Sequence, residues 1–103
     1  MKLKITNSVD TTIGESFANL VLTATANFER ISEGIARIYI KVWTSEANAD
    51  AGKTCVEIDG FDPNIEITFT EAEIDTTGIT TGLVYDKVET LLEEQESWTI
   101  ITI

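Results

Sequence analysis

The residues best equipped for chemistry are few, and most of them are oxygen donors. Asp59-Gly60-Phe61-Asp62-Pro63-Asn64, with Glu66 close behind, could set several oxygens around a calcium ion. The run lacks the twelve-residue spacing of an EF-hand, and a tight turn uses the same Asp, Gly, Pro and Asn without an ion. A turn with no metal is the expectation. The carboxylate pairs Glu71/Glu73 and Glu93/Glu94 could do acid–base work only if their surroundings drove their pKa values apart. No sequence feature buries them, so a solvated acidic face is expected. The single Cys, Cys55, can make neither an intrachain disulfide nor a thiolate zinc site. It lies in the strand-like Lys53-Thr54-Cys55-Val56-Glu57-Ile58, and a buried, inert thiol is expected there. The chain has no His, which removes the commonest general base and metal ligand. No catalytic residue, cofactor or small-molecule substrate is therefore expected.

Binding chemistry is better represented. Tyr39 and Trp43 share one strand face with Arg37 and Lys41. Amphipathic aromatics beside cations mark the centre of many protein interfaces, but equally an edge strand or a second core layer. These four residues are the candidate protein-interface site. Asp86, between Tyr85 and Lys87, reads as a turn cap or as the partner of a cation such as Lys87.

The elements that must position these residues follow from periodicity. In residues 36–44, Ile38, Ile40 and Val42 face one way while Arg37, Tyr39, Lys41 and Trp43 face the other, the pattern of a half-buried strand. Ile65, Ile67 and Phe69 alternate with Glu66, Thr68 and Thr70 in another, and 54–58 is a short third. Residues 45–53 are small and polar and read as a mobile loop, and 75–82 as a turn. Two stretches stay open. Residues 12–33 place Phe17, Leu20, Val21, Ala24, Phe28 and Ile31 at helical spacing, with Thr12-Ile13-Gly14-Glu15 as a capping box and Gly34 as a stop. The Val- and Thr-rich alternation of Leu20 to Thr25 argues equally for a strand. Residues 83–96 are either a helix with Val84, Val88, Leu91 and Leu92 as its stripe or a hairpin with 91–96 at its tip. Residues 97–103 return to β-rich sequence. The expected core is Ile38, Ile40, Val42, Val56, Ile58, Ile65, Ile67, Phe69, Val84, Trp98 and Ile100.

One hundred and three residues, 43% of them hydrophobic, suffice for one packed domain over 1–103 and argue against disorder. The net charge of −11 is uneven: residues 1–44 carry five basic and four acidic side chains, and residues 45–103 two and fourteen. Such a field repels nucleic acid and anionic membrane, which need basic surface. It favours solubility, a basic partner or mimicry of a polyanion. No apolar run approaches the roughly 20 residues that span a bilayer, and Met1 to Ile5 lacks a secretory apolar segment, so synthesis in the cytoplasm is expected.

The order of these pieces carries a resemblance. Gly14-Glu15-Ser16-Phe17 leads into a Thr-rich apolar run, and the Ile31-Ser32-Glu33-Gly34 corner precedes the strand at 36–44. Asp59-Gly60, the strand Ile65–Thr70 and the acidic segment Glu71–Thr81 follow, and Gly82-Leu83-Val84-Tyr85-Asp86-Lys87-Val88 leads to a closing hairpin. This layout resembles the small β-sandwich domains of tailed-phage structural proteins, such as the N-terminal domain of the baseplate upper protein. In those, a Gly followed by a strand ending in Tyr-Asp precedes a final hairpin. The resemblance implies an all-β, single antiparallel sandwich; the alternative is an α+β fold with helices near 14–33 and 84–95. It also implies a non-enzymatic adaptor of a phage virion (baseplate, neck, head fibre or capsid decoration). Such an adaptor would contact other virion proteins as a homo- or hetero-oligomer, without direct nucleic acid or membrane contact. The competing functional expectation is a small acidic DNA mimic that inhibits a basic host nucleic-acid-binding protein.

Overall fold

The computed structural model describes residues 1–103, the side chains of Thr76 and Thr77 excepted. In chain order it contains β1 (Leu3–Ile5), β2 (Val9–Asp10), β3 (Ser16–Phe17), β4 (Leu20–Asn27), β5 (Ile35–Trp43), α1 (Glu46–Asp50), β6 (Asn64–Thr68), α2 (Thr81–Glu96) and β7 (Ile100–Thr102). A 3₁₀ turn at Ile31–Glu33 and a π-helical turn at Glu73–Thr77 interrupt the connections. Five strands make one antiparallel sheet in the order β6-β5-β4-β1-β7, and β2 and β3 form a separate ribbon.

The strand-dominated, antiparallel character follows from the alternation in the sequence, but the layers differ from the sandwich expectation. The partner of the large sheet is α2, with the two-stranded ribbon beside it. The register puts Leu3, Ile5, Leu20, Leu22, Ala36, Ile38, Ile40, Val42, Ile67 and Ile100 on one face. There they join Val84, Tyr85, Val88 and Leu92 of α2 in a continuous core. Of the expected core, Ile38, Ile40, Val42, Ile58, Ile67, Phe69, Val84 and Ile100 are buried, and Val56, Ile65 and Trp98 pack against it half-buried.

The two open stretches resolve in opposite directions. Residues 20–27 are a strand and no α-helix forms over 14–33, because β4 is central and pairs with β1 and β5, an arrangement that suits its Val and Thr. The supposed capping box instead closes the β2–β3 turn: Thr11 N–H and Oγ1–H both donate to the Glu15 carbonyl, at 2.9 and 2.8 Å. Residues 83–96 are helical, so both the hairpin and the strand ending in Tyr85-Asp86 are corrected. Thr80 Oγ1 accepts from Leu83 N–H at 3.1 Å and caps the start, and Ser97, in the left-handed region at φ 58°, ends the helix. Local strand propensity loses to burial here, because Val84, Val88 and Leu92 reach the sheet only at helical spacing.

Tyr85 gains a polar role from the same placement. β4 runs past the end of β1, which leaves the Ala24 N–H without a strand partner, and that group donates to the Tyr85 hydroxyl at 2.9 Å. Two further readings change. The polar 45–53 run contains α1, capped by Ser45 Oγ accepting from Asn48 N–H at 3.1 Å. The strand expected at 54–58 is reduced to isolated bridges, Val42 with Val56 and Thr11 with Ile58. Val56 and Ile58 turn toward the core, so alternation turns Cys55 out and its thiol is exposed rather than buried.

Candidate protein-interaction surface

The outer face of the sheet is built by the residues that alternate with the core. Arg37, Tyr39, Lys41 and Trp43 of β5 all point to it, as their spacing predicts, and stand opposite Asn27, Thr25, Thr23 and Val21 of β4. The structure divides these four. Trp43 is only 7% exposed and Val21 beside it is 1% exposed, although both face away from the main core. α1, which begins three residues after Trp43, packs on β4 and β5 at this end. Lys2 holds it there, with Nζ 2.9 Å from Asp50 and 3.6 Å from Glu46. Trp43 Nε1–H donates to Thr23 Oγ1 at 3.0 Å. Trp43 is thus a second core layer that anchors α1, and the open surface lies further along β5.

That open surface centres on Tyr39, which is 45% exposed. Its strand neighbours are Thr25 on β4 and Asn64 on β6. Arg37 and Lys41 flank it, both exposed. Arg37 reaches Glu66 at 3.4 Å, and Arg30 approaches the same carboxylate at 3.9 Å, so this edge is held by weak, solvated ion pairs. Beside Tyr39 and Lys41 a pocket of about 240 Å³ opens against the segment that precedes β6, lined by Cys55, Val56, Phe61 and Pro63. Lys4, Arg37 and Lys41 all lie on this outer face, whereas α2 on the other side carries Asp86, Glu89, Glu93, Glu94 and Glu96. The outer face also carries Glu66 and the α1 carboxylates Glu46 and Asp50, paired with Arg37 and Lys2, so the acidic excess is concentrated on α2 without being confined to it.

The remaining candidates have structural uses. In the 59–64 turn, Asp62 Oδ1 accepts from Asn64 N–H at 2.9 Å, and Asp59 N–H donates to the Asp10 carbonyl at 3.0 Å. Among the described residues no three acidic or sulfur side chains gather as a metal site would require. Glu71 is exposed, and Glu73 does work that the sequence reading missed. Thr70-Glu71-Ala72-Glu73 forms a reciprocal capping box: the Glu73 carboxylate accepts from Thr70 N–H at 2.8 Å, and Glu73 N–H donates to Thr70 Oγ1 at 3.2 Å. The Thr-x-x-Glu pattern was the signal that could have found it. Glu73 also pairs at 3.0 Å with Lys87, which lies 5.3 Å from the centre of the Phe69 ring, so Asp86 is not the partner of Lys87.

The Thr70 amide, and after it Lys87, hold the Glu73 carboxyl below its ordinary value. Its stabilising contribution is therefore present above the unfolded-state pKa and is lost as pH falls through the folded one. Glu73→Gln is expected to lower stability near neutrality, and the gap to wild type should narrow below about pH 4 in urea titrations. A gap that stays constant with pH would contradict the charged role. Glu89 shifts upward, first from burial and then from the charges of Glu93 and Asp86. Its carboxylate opposes the fold at neutral pH, and protonation relieves that cost.

Comparison with protein-family models, with curated proteins and with solved structures finds no match to this chain. Among the described residues no helix is long and apolar enough to cross a membrane.

Proposed function

We propose that this chain is a non-enzymatic adaptor that holds other proteins through the uncovered half of its outer sheet face, as a multi-copy part of a tailed-phage particle. Tyr39 carries the docking half of this reading: a large amphipathic ring, 45% exposed, between two cations on a sheet face left open beside α1. Tyr and Arg are the residues that most often dominate binding energy at interface centres. A contact of standard size buries about 800 Å² per partner, and the face from Arg37 to Lys41 would be its centre. Lys41, which has no ion-pair partner among the described residues, suits an acidic neighbour there.

The particle assignment draws on the order of elements before residue 82, because residues 83–88 are helical. In that reading the β2–β3 ribbon, bridged through Thr11 to Ile58, stands in for the second sheet of a sandwich. The acidic DNA mimic is the second reading. It draws on Asp86, Glu89 and Glu93, which recur at helical spacing along α2.

The test is a double variant, Tyr39→Ser with Lys41→Glu, followed into purified particles. Incorporation is expected to fall at least about tenfold. Unfolding stability should fall by no more than about 1–1.5 kcal/mol, because Tyr39 is half-exposed with strand neighbours on both sides and Lys41 is exposed. Unchanged incorporation would overturn the docking face. Recovery of the wild type with a host nuclease or polymerase, and not with the particle, would favour the mimic.

A further inference from the structure

β6 is an edge strand, and the hydrogen-bond register shows which of its groups are unused. Ile40 N–H donates to the Pro63 carbonyl and Phe69 N–H to the Gly34 carbonyl, both at 2.8 Å. Counting by twos between these ends, Ile65 and Ile67 turn their backbone polar groups to β5, while Glu66 and Thr68 turn theirs away from the sheet. Asn64 points the same way, but its N–H is already taken by Asp62. Glu66 and Thr68 thus present the N–H and C=O groups of an open template.

The template faces a groove. Between β6 and α2 runs a trough of about 360 Å³ lined by Ile67, Thr68, Leu83 and Leu91, continued by a second stretch lined by Asp62, Asn64 and Gln95. Thr68 shares its stretch with Leu83 and Asn64 shares the other with Gln95, so α2 runs alongside β6 in the opposite direction. The half-buried Leu83 and Leu91 provide an apolar wall. Asp86 and Glu94 line the trough, with Asp62 and Glu96 at its far end, and none of the four has an ion-pair partner among the described residues. The nearby cations are committed, Lys87 to Glu73 at 3.0 Å and Arg37 to Glu66 at 3.4 Å.

We infer that this groove takes an extended segment of a partner protein that adds to β6 as a sixth strand and turns toward α2 a row of every second side chain, apolar in its middle and lysine or arginine at its ends. Main-chain bonds to Glu66 and Thr68 supply the pairing, the apolar residues pack on Ile67, Leu83 and Leu91, and the cations meet the unpaired carboxylates. The chain's own basic N-terminal strand, Lys2-Leu3-Lys4-Ile5, is already held between β4 and β7, so the occupant is another protein. The groove is separate from the Tyr39 face, and either surface can fail without the other.

The probe is an end-blocked Val/Lys peptide of about nine residues, long enough to match β6, with Lys, Val, Val, Val and Lys at alternate positions so that they share one face, and Thr between them. It is titrated into the full chain by calorimetry and followed by amide NMR. Saturable binding is expected, with the largest shifts at the Glu66 and Thr68 amides. N-methylation of the peptide groups that face β6 should abolish it, and Val/Glu peptides should not bind. Asp86→Lys with Glu94→Lys should weaken the Val/Lys peptide roughly tenfold, both changes being at exposed charges. Absence of saturable binding, equal binding of the N-methylated peptide, or shifts centred on Tyr39 would each overturn the inference. The N-methylated arm needs no protein variant, so it decides the matter even if the double substitution disturbs the fold.

Discussion

Truncating Ile40 to alanine is expected to cost about 2–5 kcal/mol of unfolding stability, enough to consume much of the margin of a small domain. Ile40 is 2% exposed on the inner face of β5, opposite Ala24 on β4. Ala24 is too small to fill the space the lost methylenes leave, so both the transfer loss and the cavity term apply. Urea titration with an unchanged m-value should report the loss as a shifted midpoint. A cost under about 0.5 kcal/mol, as at a surface site, would mean that β5 is held in another register.

Gly34→Ala is the second large effect, and it acts through backbone. Gly34 closes the 3₁₀ turn before β5 at φ 76°, a conformation that costs an L-residue about 1–2 kcal/mol. An added Cβ would also lie 2.8 Å from the Phe69 carbonyl oxygen, which is main chain and cannot swing aside. Relief requires Gly34 to move from Phe69, whose N–H donates to the Gly34 carbonyl at 2.8 Å, and so to loosen the first link of β5 to β6. Strain and the weakened bond together are expected to cost about 2–3 kcal/mol. The same substitution at Gly52, also at positive φ but with nothing near its Cβ, should cost less by the contact term. Equal losses at the two sites would show that the Phe69 contact contributes nothing.

Strands whose own alternation matched their burial could be read directly. Ile38, Ile40 and Val42 alternate with charged and aromatic residues, and β5 follows. β1 and β7 are only three residues each, and their partners lie about a hundred residues apart in sequence, so no local pattern announces that Leu3 stands opposite Thr102. α2 was ambiguous because Leu83 to Thr90 carries β-branched residues; the deciding facts, the Thr80 cap and a sheet face needing cover, are tertiary. Cys55 could have been placed by consistency alone. Once Val56 and Ile58 are assigned to the core, the residue before Val56 must face outward.

The candidate surface was legible to the same degree. Alternation correctly put Arg37, Tyr39, Lys41 and Trp43 on one face, since strand geometry fixes that much. It could not separate Trp43 from the other three, because Trp43 is covered by α1 and by the Lys2 ion pairs that hold it. The β6 groove left no trace in the sequence. An edge strand is defined by the neighbour it lacks, and sequence records only the neighbours within reach.

Quantitative mass spectrometry of purified phage particles, with lysine cross-linking before disassembly, tests the adaptor role most directly. The chain is expected in many copies per particle, with cross-links from Lys41 to neighbouring proteins and with the exposed face around Tyr39 protected from labelling. Absence of the chain from the particle, or its presence with Lys41 and Tyr39 as accessible as in the free protein, would contradict that role.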